Sequence, residues 1–379
     1  MEDGFEEVIL YPLSTSRRQR FRMDDKLTLI LFLVAPPIAG ELVLLFLLFR
    51  FTRGSRRKLG WLRIVLFNLF SILLLVCLSF AGGELYYRFV YDTTDSIAYT
   101  KVSQLWGKRY IVVNSAGFRD NVQYALRITP GKRRISFLGD SFTVGHGVKS
   151  VEDRFPNLLR ASHPEWEVHL LARLGWDTGR ELDELEKFQR SGYEFDLVVL
   201  VYCLNDVADL FPEWTRALEE IQEDAKRGGW LRRNSYFLDI LYHRQIAARN
   251  PYVKNYYDFV KQGYQDAKWE LQKQRLNALR KLVESNGGKF AVVTFPFLQS
   301  VGEGYEYQSI HEELSRFWQQ LQVPHLDLLS TFADRSRHEI TVNAYDPHPN
   351  EFANALTAKA IEAFVAERVN SNPAPATVP

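Results

Sequence analysis

Cysteine is scarce: Cys77 and Cys203 are the only two in 379 residues, which excludes a disulfide-stapled scaffold and any cysteine-rich zinc site. Charge of one sign is missing too, since 47 Lys and Arg against 46 Asp and Glu leave a net +1. No uniform field draws such a chain to nucleic acid, which is excluded as a partner. His, Asp and Glu nowhere recur at the spacing of a zinc or iron motif, so neither a metal nor another cofactor is expected. No internal repeat is present. A mean hydropathy of -0.21, with 46% hydrophobic and 25% charged residues, excludes a disordered or collagen-like chain and, taken alone, describes a soluble protein of one to three domains.

Two local runs contradict that average. Leu27 to Phe49 has Glu41 as its only charge, and Ile64 to Gly83 has none. Each is long enough to cross a hydrocarbon core about 30 Å thick at about 20 residues per crossing, so two transmembrane helices (27–49 and 64–83) are expected to anchor the chain in lipid. Pro36, Pro37 and Glu41 in the middle of the first predict a kinked span. A cleavable signal peptide carries a shorter apolar run, about 7 to 15 residues, close to the start; here a mixed-charge tail, 1–26, precedes the first run, and cleavage is not expected. Arg50, Arg53, Arg56, Arg57 and Lys58 between the spans resist translocation, which puts everything after Gly83 outside the cytoplasm. Arg17, Arg18, Arg20, Arg22 and Lys26 pull towards the inverse arrangement. Residues 1–63 hold 11 Lys and Arg against 7 Asp and Glu, or +4, leaving 36 against 39, or -3, for the rest. Near-neutrality is thus a cancellation between a basic anchor and a mildly acidic domain.

Beyond the anchor, 84–130 reads as an entry segment, 131–370 as one domain, and the Pro- and Ala-rich 371–379 as a disordered tail. Apolar runs at Arg134 to Leu138, Glu167 to Leu171, Asp196 to Cys203, Phe290 to Pro296 and His325 to Leu329 suit strands buried on both faces. Helical periodicity fits between them, as in Ala267 to Ser285, which Asn286-Gly287-Gly288 stops. The expected fold is α/β, three layers around a parallel sheet. An aromatic-rich stretch, 207–265, exceeds a minimal version of that sheet. Trp214, Trp230, Tyr236, Tyr242, Tyr252, Tyr256 and Tyr257 there either pack extra helices or form a lid or platform over the sheet's carboxyl ends.

The sharpest chemistry lies at Ile135-Ser136-Phe137-Leu138-Gly139-Asp140-Ser141-Phe142-Thr143-Val144-Gly145, a buried strand running into a small-residue turn. A serine at a strand-to-helix turn exposes its hydroxyl at the carboxyl end of the sheet beside unpaired N–H groups, a placement suited to a nucleophile. The alternative is a loop in which Asp140 or Ser141 merely caps a helix.

This motif resembles block I of the SGNH (GDSL-like) hydrolase family, and three more blocks follow in order, the resemblance covering about Ile135 to Val369. Block II resembles Ala172-Arg173-Leu174-Gly175-Trp176-Asp177-Thr178, where Gly175 takes the place of the family's oxyanion donor. Block III resembles Val201-Tyr202-Cys203-Leu204-Asn205-Asp206-Val207, with Asn205 supplying a side-chain amide and Cys203 standing where glycine is common. The last block resembles Asp346-Pro347-His348-Pro349-Asn350, although the family's commonest spacing is Asp-x-x-His. Upstream, Asn114 to Asp120 resembles a segment of membrane-anchored relatives linked to surface polysaccharides. The resemblance implies an SGNH-hydrolase, flavodoxin-like sheet in a bacterial plasma-membrane protein whose catalytic domain faces the periplasm.

The roles are physically coherent. Ser141 needs a base, His348, and an acid, Asp346, to fix the imidazole tautomer; the oxyanion needs the Ser141 and Gly175 N–H groups and the Asn205 amide. Asp140 and His146, beside the nucleophile, are expected to contact substrate. The other histidines, among them His163, His169, His243, His311, His325 and His338, read as packing or surface residues, and Cys203 as a buried small residue. The expected activity is hydrolysis of acyl, chiefly O-acetyl, esters of a glycan or lipid through an acyl-serine. An O-acyltransferase using the same triad and a non-catalytic glycan-binding component of a membrane assembly are the alternatives.

Overall fold

Continuous apolar runs become strands with almost no solvent contact. The computed structural model describes Ile30 and residues 33–54, 60–95 and 99–370. The tails 1–26 and 371–379, the start of the expected first span, and Arg56, Arg57 and Lys58 of the basic segment lie outside the described residues. Strands β1 (Arg133–Gly139), β2 (Trp166–Ala172), β3 (Leu197–Cys203), β4 (Lys289–Phe295) and β5 (His325–Asp327) form one parallel sheet in the order β2-β1-β3-β4-β5. Every residue of β3 is buried, as a central strand covered on both faces requires. The step from β1 to β2 runs one way across the sheet and all later steps run the other. Right-handed crossovers therefore put the first connecting helix, Phe155–Ser162, on one face and Thr178–Arg190, Asp266–Ser285 and Gln308–Gln320 on the opposite face. The last helix, Glu351–Asn370, packs beside Phe155–Ser162. Three layers result.

The reversal of strand order at β1 matters most for function. Chain leaving β1 and β3 diverges there, opening a crevice at their carboxyl ends. After β3 a short 3-10 turn, Leu204–Leu210, leads into the insertion, which is helical throughout its main segments: Pro212–Arg227, Trp230–Asn234, Tyr236–Arg249, Pro251–Lys254 and Tyr256–Gly263. A separate antiparallel hairpin, β6 (Thr341–Asn343) with β7 (Asp346–Pro349), precedes the last helix.

The N-terminal region departs from expectation in its boundaries. Ile30 and Leu33 are helical, Val34 is a turn, and the helix Ala35–Gly54 then starts with Pro36 and Pro37 in its first turn, so the apolar run is interrupted just before the prolines. Proline is tolerated there because the first turn leaves its N–H groups unpaired anyway. The second helix, Gly60–Leu85, exceeds the expected 64–83 and continues through a π turn, Tyr86–Val90. Leu33, Val34 and Ile38 pack on Ala81, so the two helices run antiparallel. Among the described residues one helix, Gly60–Val90, is long and apolar enough to cross a membrane, with a mean hydropathy of 2.7 over its most apolar window. Ile64, Phe67, Ile72 and Leu75 stand exposed along it.

The far end of the sheet depends on one buried cation. The Arg134 guanidinium donates to Leu126 O (2.8 Å), Glu194 O (3.0 Å), Arg127 O and Glu167 Oε1 (2.8 Å), and lies 4.7 Å from the Tyr193 ring centre. Arg134→Met should strand these acceptors and cost about 3 to 5 kcal/mol. Urea unfolding checks this: a lower midpoint at unchanged slope is expected.

Candidate active site

Gly139 ends β1, and the Asp140 carboxylate accepts the Phe142 N–H at 2.9 Å, starting the short helix Ser141–Val144. Ser141 takes its first position. Gly145, at φ +73°, closes the helix in the left-handed region, where a side chain is strained. Two buried arginines pin this turn from behind. Arg119 donates to Gly145 O (2.7 Å) and Val148 O (2.6 Å), and Arg154 to Arg119 O (2.7 Å) and Val144 O (3.1 Å). Arg119 belongs to the Asn114 to Asp120 segment, whose Phe118 is buried in the core.

His348 brings its Nε2 to 2.7 Å from Ser141 Oγ and its Nδ1 to 2.5 Å from Asp346 Oδ1. Both residues sit on β7, and the strand explains the unusual Asp-x-His spacing. Alternate side chains of a strand share one face, so positions 346 and 348 meet without the extra residue that a looser loop needs. Asp346 Oδ1 also accepts the His348 backbone N–H at 3.1 Å, while Oδ2 accepts the Thr94 hydroxyl.

Burial alone opposes ionisation of Asp346, but the His348 and His146 imidazoles and the Thr94 hydroxyl hold its carboxyl well below the usual range. For His348, burial opposes protonation but Asp346, and behind it Asp140, raises the imidazole above its ordinary 6.5. His146 is the reverse case: burial pushes it down to about 4. Its 3.5 Å approach to Asp346 Oδ2 is therefore a neutral polar contact at physiological pH. Burial also pushes the Cys203 thiol well up, leaving it an inert packing group.

The oxyanion candidates share a cavity wall with Val144 of the Ser141–Val144 turn. Gly175, at φ +73°, follows β2, and Asn205 follows β3; both line a cavity of about 530 Å³. The Asn205 amide hydrogen-bonds the Asp140 carboxylate, which orients it. Trp176, Trp214 and Tyr256 contribute flat faces to the cavity, alongside Arg173, Arg180 and Glu219. Trp214 and Tyr256 pack together with ring centres 4.4 Å apart and planes tilted by 41°, so the insertion supplies part of the wall as well as packing.

Two expected substrate contacts are corrected. Asp140 is 1% exposed and is occupied as a helix cap and as a partner of Asn205. His146 is 2% exposed, because the left-handed Gly145 turns the chain inward and its ring packs against Trp106 and His348, behind the acid. Thr94 and Arg119 were not expected as site residues. A lone threonine in an entry segment carries no sequence signal, and Arg119 had only the neighbouring motif to mark it. His146, Asp346 and His348 also have the donor atoms to hold a cation among the described residues, but their contacts with Ser141 and Thr94 account for Asp346 and His348 without one.

No protein-family model and no curated protein matches this chain. Solved structures that it resembles include a lipolytic G-D-S-L family protein from Veillonella parvula (15% identity, TM-score 0.38, covering 62% of this chain and 98% of that one). An acetyl xylan esterase, AlAXEase, is similar at 13% identity and TM-score 0.41, covering 61% and 99%. A two-domain esterase active on acetylated mannans is similar at 17% identity and TM-score 0.35, covering 65% of this chain and 52% of that one.

Because His348 must be neutral to accept the Ser141 proton, activity should fall as pH drops through its raised pKa. The acid limb of kcat/KM for a chromogenic acetyl ester should therefore lie above 6.5. Asp346→Asn removes the group that raises it: the limb should move down and kcat fall by roughly 10⁴. Asn205→Ala should cost about 100- to 1000-fold in kcat with little change in KM.

Proposed function

We propose that this protein is a membrane-anchored serine esterase that removes acyl groups, chiefly O-acetyl, from a glycan. The observation that carries the reading is the unbroken relay from Asp346 through His348 to Ser141, at 2.5 and 2.7 Å. Ser141 Oγ attacks the ester carbonyl while its proton passes to His348 Nε2, and Asp346 stabilises the imidazolium. The oxyanion takes hydrogen bonds from the Ser141 and Gly175 N–H groups and the Asn205 amide. His348 then gives its proton to the departing sugar oxygen, leaving acyl-Ser141. Water, deprotonated by the same imidazole, releases the acid.

The cavity favours a glycan over a lipid chain. Fatty acyl chains want an apolar tube, whereas this wall mixes aromatic faces with Arg173, Arg180, Asp177 and Glu219. Sugars present C–H faces for aromatic stacking and hydroxyl edges for charged partners, and both are available here. The apolar helix Gly60–Val90 supports anchoring in a bacterial plasma membrane, and the basic residues Arg50 and Arg53 before it support an extracytoplasmic domain.

Ser141→Ala should abolish turnover of a chromogenic acetyl ester; undiminished activity removes the nucleophile assignment. Trp214→Ala should raise KM for an acetylated oligosaccharide by roughly two- to tenfold, the value of one aromatic contact. It should leave the small chromogenic ester unaffected. Equal effects on both substrates would refute the glycan platform.

A further inference from the structure

The acid of the relay has two oxygens, and only Oδ1 faces the imidazole. Oδ2 accepts the hydroxyl of Thr94, a residue with 0% exposure on the stretch between the apolar helix and the hydrolase-like domain. His146 approaches the same oxygen at 3.5 Å, beyond the usual 2.7 to 3.2 Å of an N–H···O bond, so the threonine is the closer donor. A carboxylate held through one oxygen swings freely about its terminal torsion. A donor on the second oxygen fixes its plane, and with it the direction in which His348 presents Nε2 to Ser141.

Thr94 is itself held from both sides. Asn343, opposite Asp346 in the β6–β7 hairpin, donates to Thr93 Oγ1 at 3.0 Å and to Thr94 O at 2.8 Å. The Asp95 N–H donates to Ser103 Oγ at 3.0 Å. Towards the apolar helix, buried Glu84 accepts from Ser235 Oγ (2.7 Å) and from the Tyr236 and Phe237 N–H groups (3.2 and 3.1 Å), while Arg88 donates to Asn234 O (2.7 Å). The helix end is thereby docked on the insertion. Arg244 ties the parts together: it donates to Tyr87 Oη (3.1 Å), lies 3.6 Å from Asp95 and stacks 3.6 Å from the ring centre of Tyr345, next to Asp346.

We propose that Thr94 is a positioning residue for the reaction, and that the strap leaving the apolar helix completes the catalytic relay by holding the outer oxygen of Asp346. The domain alone then contains the three reacting groups but not the full geometry of the acid. This inference rests on the esterase reading of Ser141.

The test uses the full chain in detergent, with two readouts: turnover of a chromogenic acetyl ester, and the second-order rate at which an alkyl phosphonate ester modifies Ser141. Thr94→Val keeps the shape and removes the hydroxyl. It should lower kcat and the phosphonylation rate together by about 10- to 100-fold, with KM within about twofold of wild type. Thr94→Ser, which restores the donor, should recover both to within about threefold. If the valine variant does not fold, Thr94→Ala, taken as folded protein with an unchanged thermal midpoint, carries the same expectation. Wild-type rates in the valine or alanine variant overturn the inference. So does a serine variant as impaired as valine, because loss of a methyl contact would then be the cause. A wild-type chain that neither turns over ester nor is phosphonylated at Ser141 would instead overturn the esterase reading.

Discussion

A buried carboxylate that must stay ionised governs this architecture. Asp346 has no solvent exposure, and an uncompensated charge in that position would cost several kcal/mol or be lost by protonation. It stays charged because hydrogen bonds reach both oxygens from two parts of the chain, the His348 ring and backbone and the Thr94 hydroxyl, with His146 in polar contact at 3.5 Å. Each of these contacts demands a structural element. The hairpin strand β7 sets His348, the entry strap sets Thr94, and the inward turn at Gly145 sets His146. The turn in its place is pinned by Arg119 and Arg154, which cap its carbonyls. Segments far apart in sequence are therefore committed to one another by the solvation of a single group.

Sequence reasoning succeeded where one physical signal dominated. The buried strands announced themselves as continuous apolar runs, and the expected limits differ from β1 through β4 by only a residue or so at each end. Ser141, Asp346 and His348 lie within hydrogen-bonding distance in one chain of contacts, and Gly175 and Asn205 share the cavity wall. The hairpin β6–β7 was invisible, since Asp-Pro-His-Pro has neither the alternation nor the composition of a strand. That is also why the Asp-x-His spacing looked anomalous until the strand's two-residue period made it regular. Thr94 was unreadable for a different reason: its role depends on a contact across 252 residues, and no local pattern encodes that. His146 misled in the opposite way, because proximity in sequence suggested the pocket while the positive φ of Gly145 sends it inside.

The insertion also has two duties that its composition could not separate. Its aromatic residues at one end, Trp214 and Tyr256, face the cavity, whereas Ser235 to Phe237 at the other receive Glu84 from the apolar helix. A wall of the proposed substrate site and the dock of the proposed anchor thus belong to one helical unit. This gives the extra length after β3 a structural reason beyond thickening the fold.

The two sides of Ser141 are also tuned in opposite senses. On the base side, Asp346 is held ionised and raises His348. On the oxyanion side lie Asp140, Glu181 and Asp206, fully buried carboxyls each pushed above the ordinary range: burial is the main cause for all three, and for Glu181 and Asp206 the neighbouring acids add to it. An upward shift lowers the tendency of these three to carry negative charge near Asn205, the side on which the proposed oxyanion would form. Environments that drive neighbouring carboxyls apart in pKa are how one site separates a charged role from a neutral one. Here the division falls across Ser141: the carboxyl held low lies on β7, and the carboxyls pushed up lie at Asp140 beside Ser141, behind β3 and on the helix after β2.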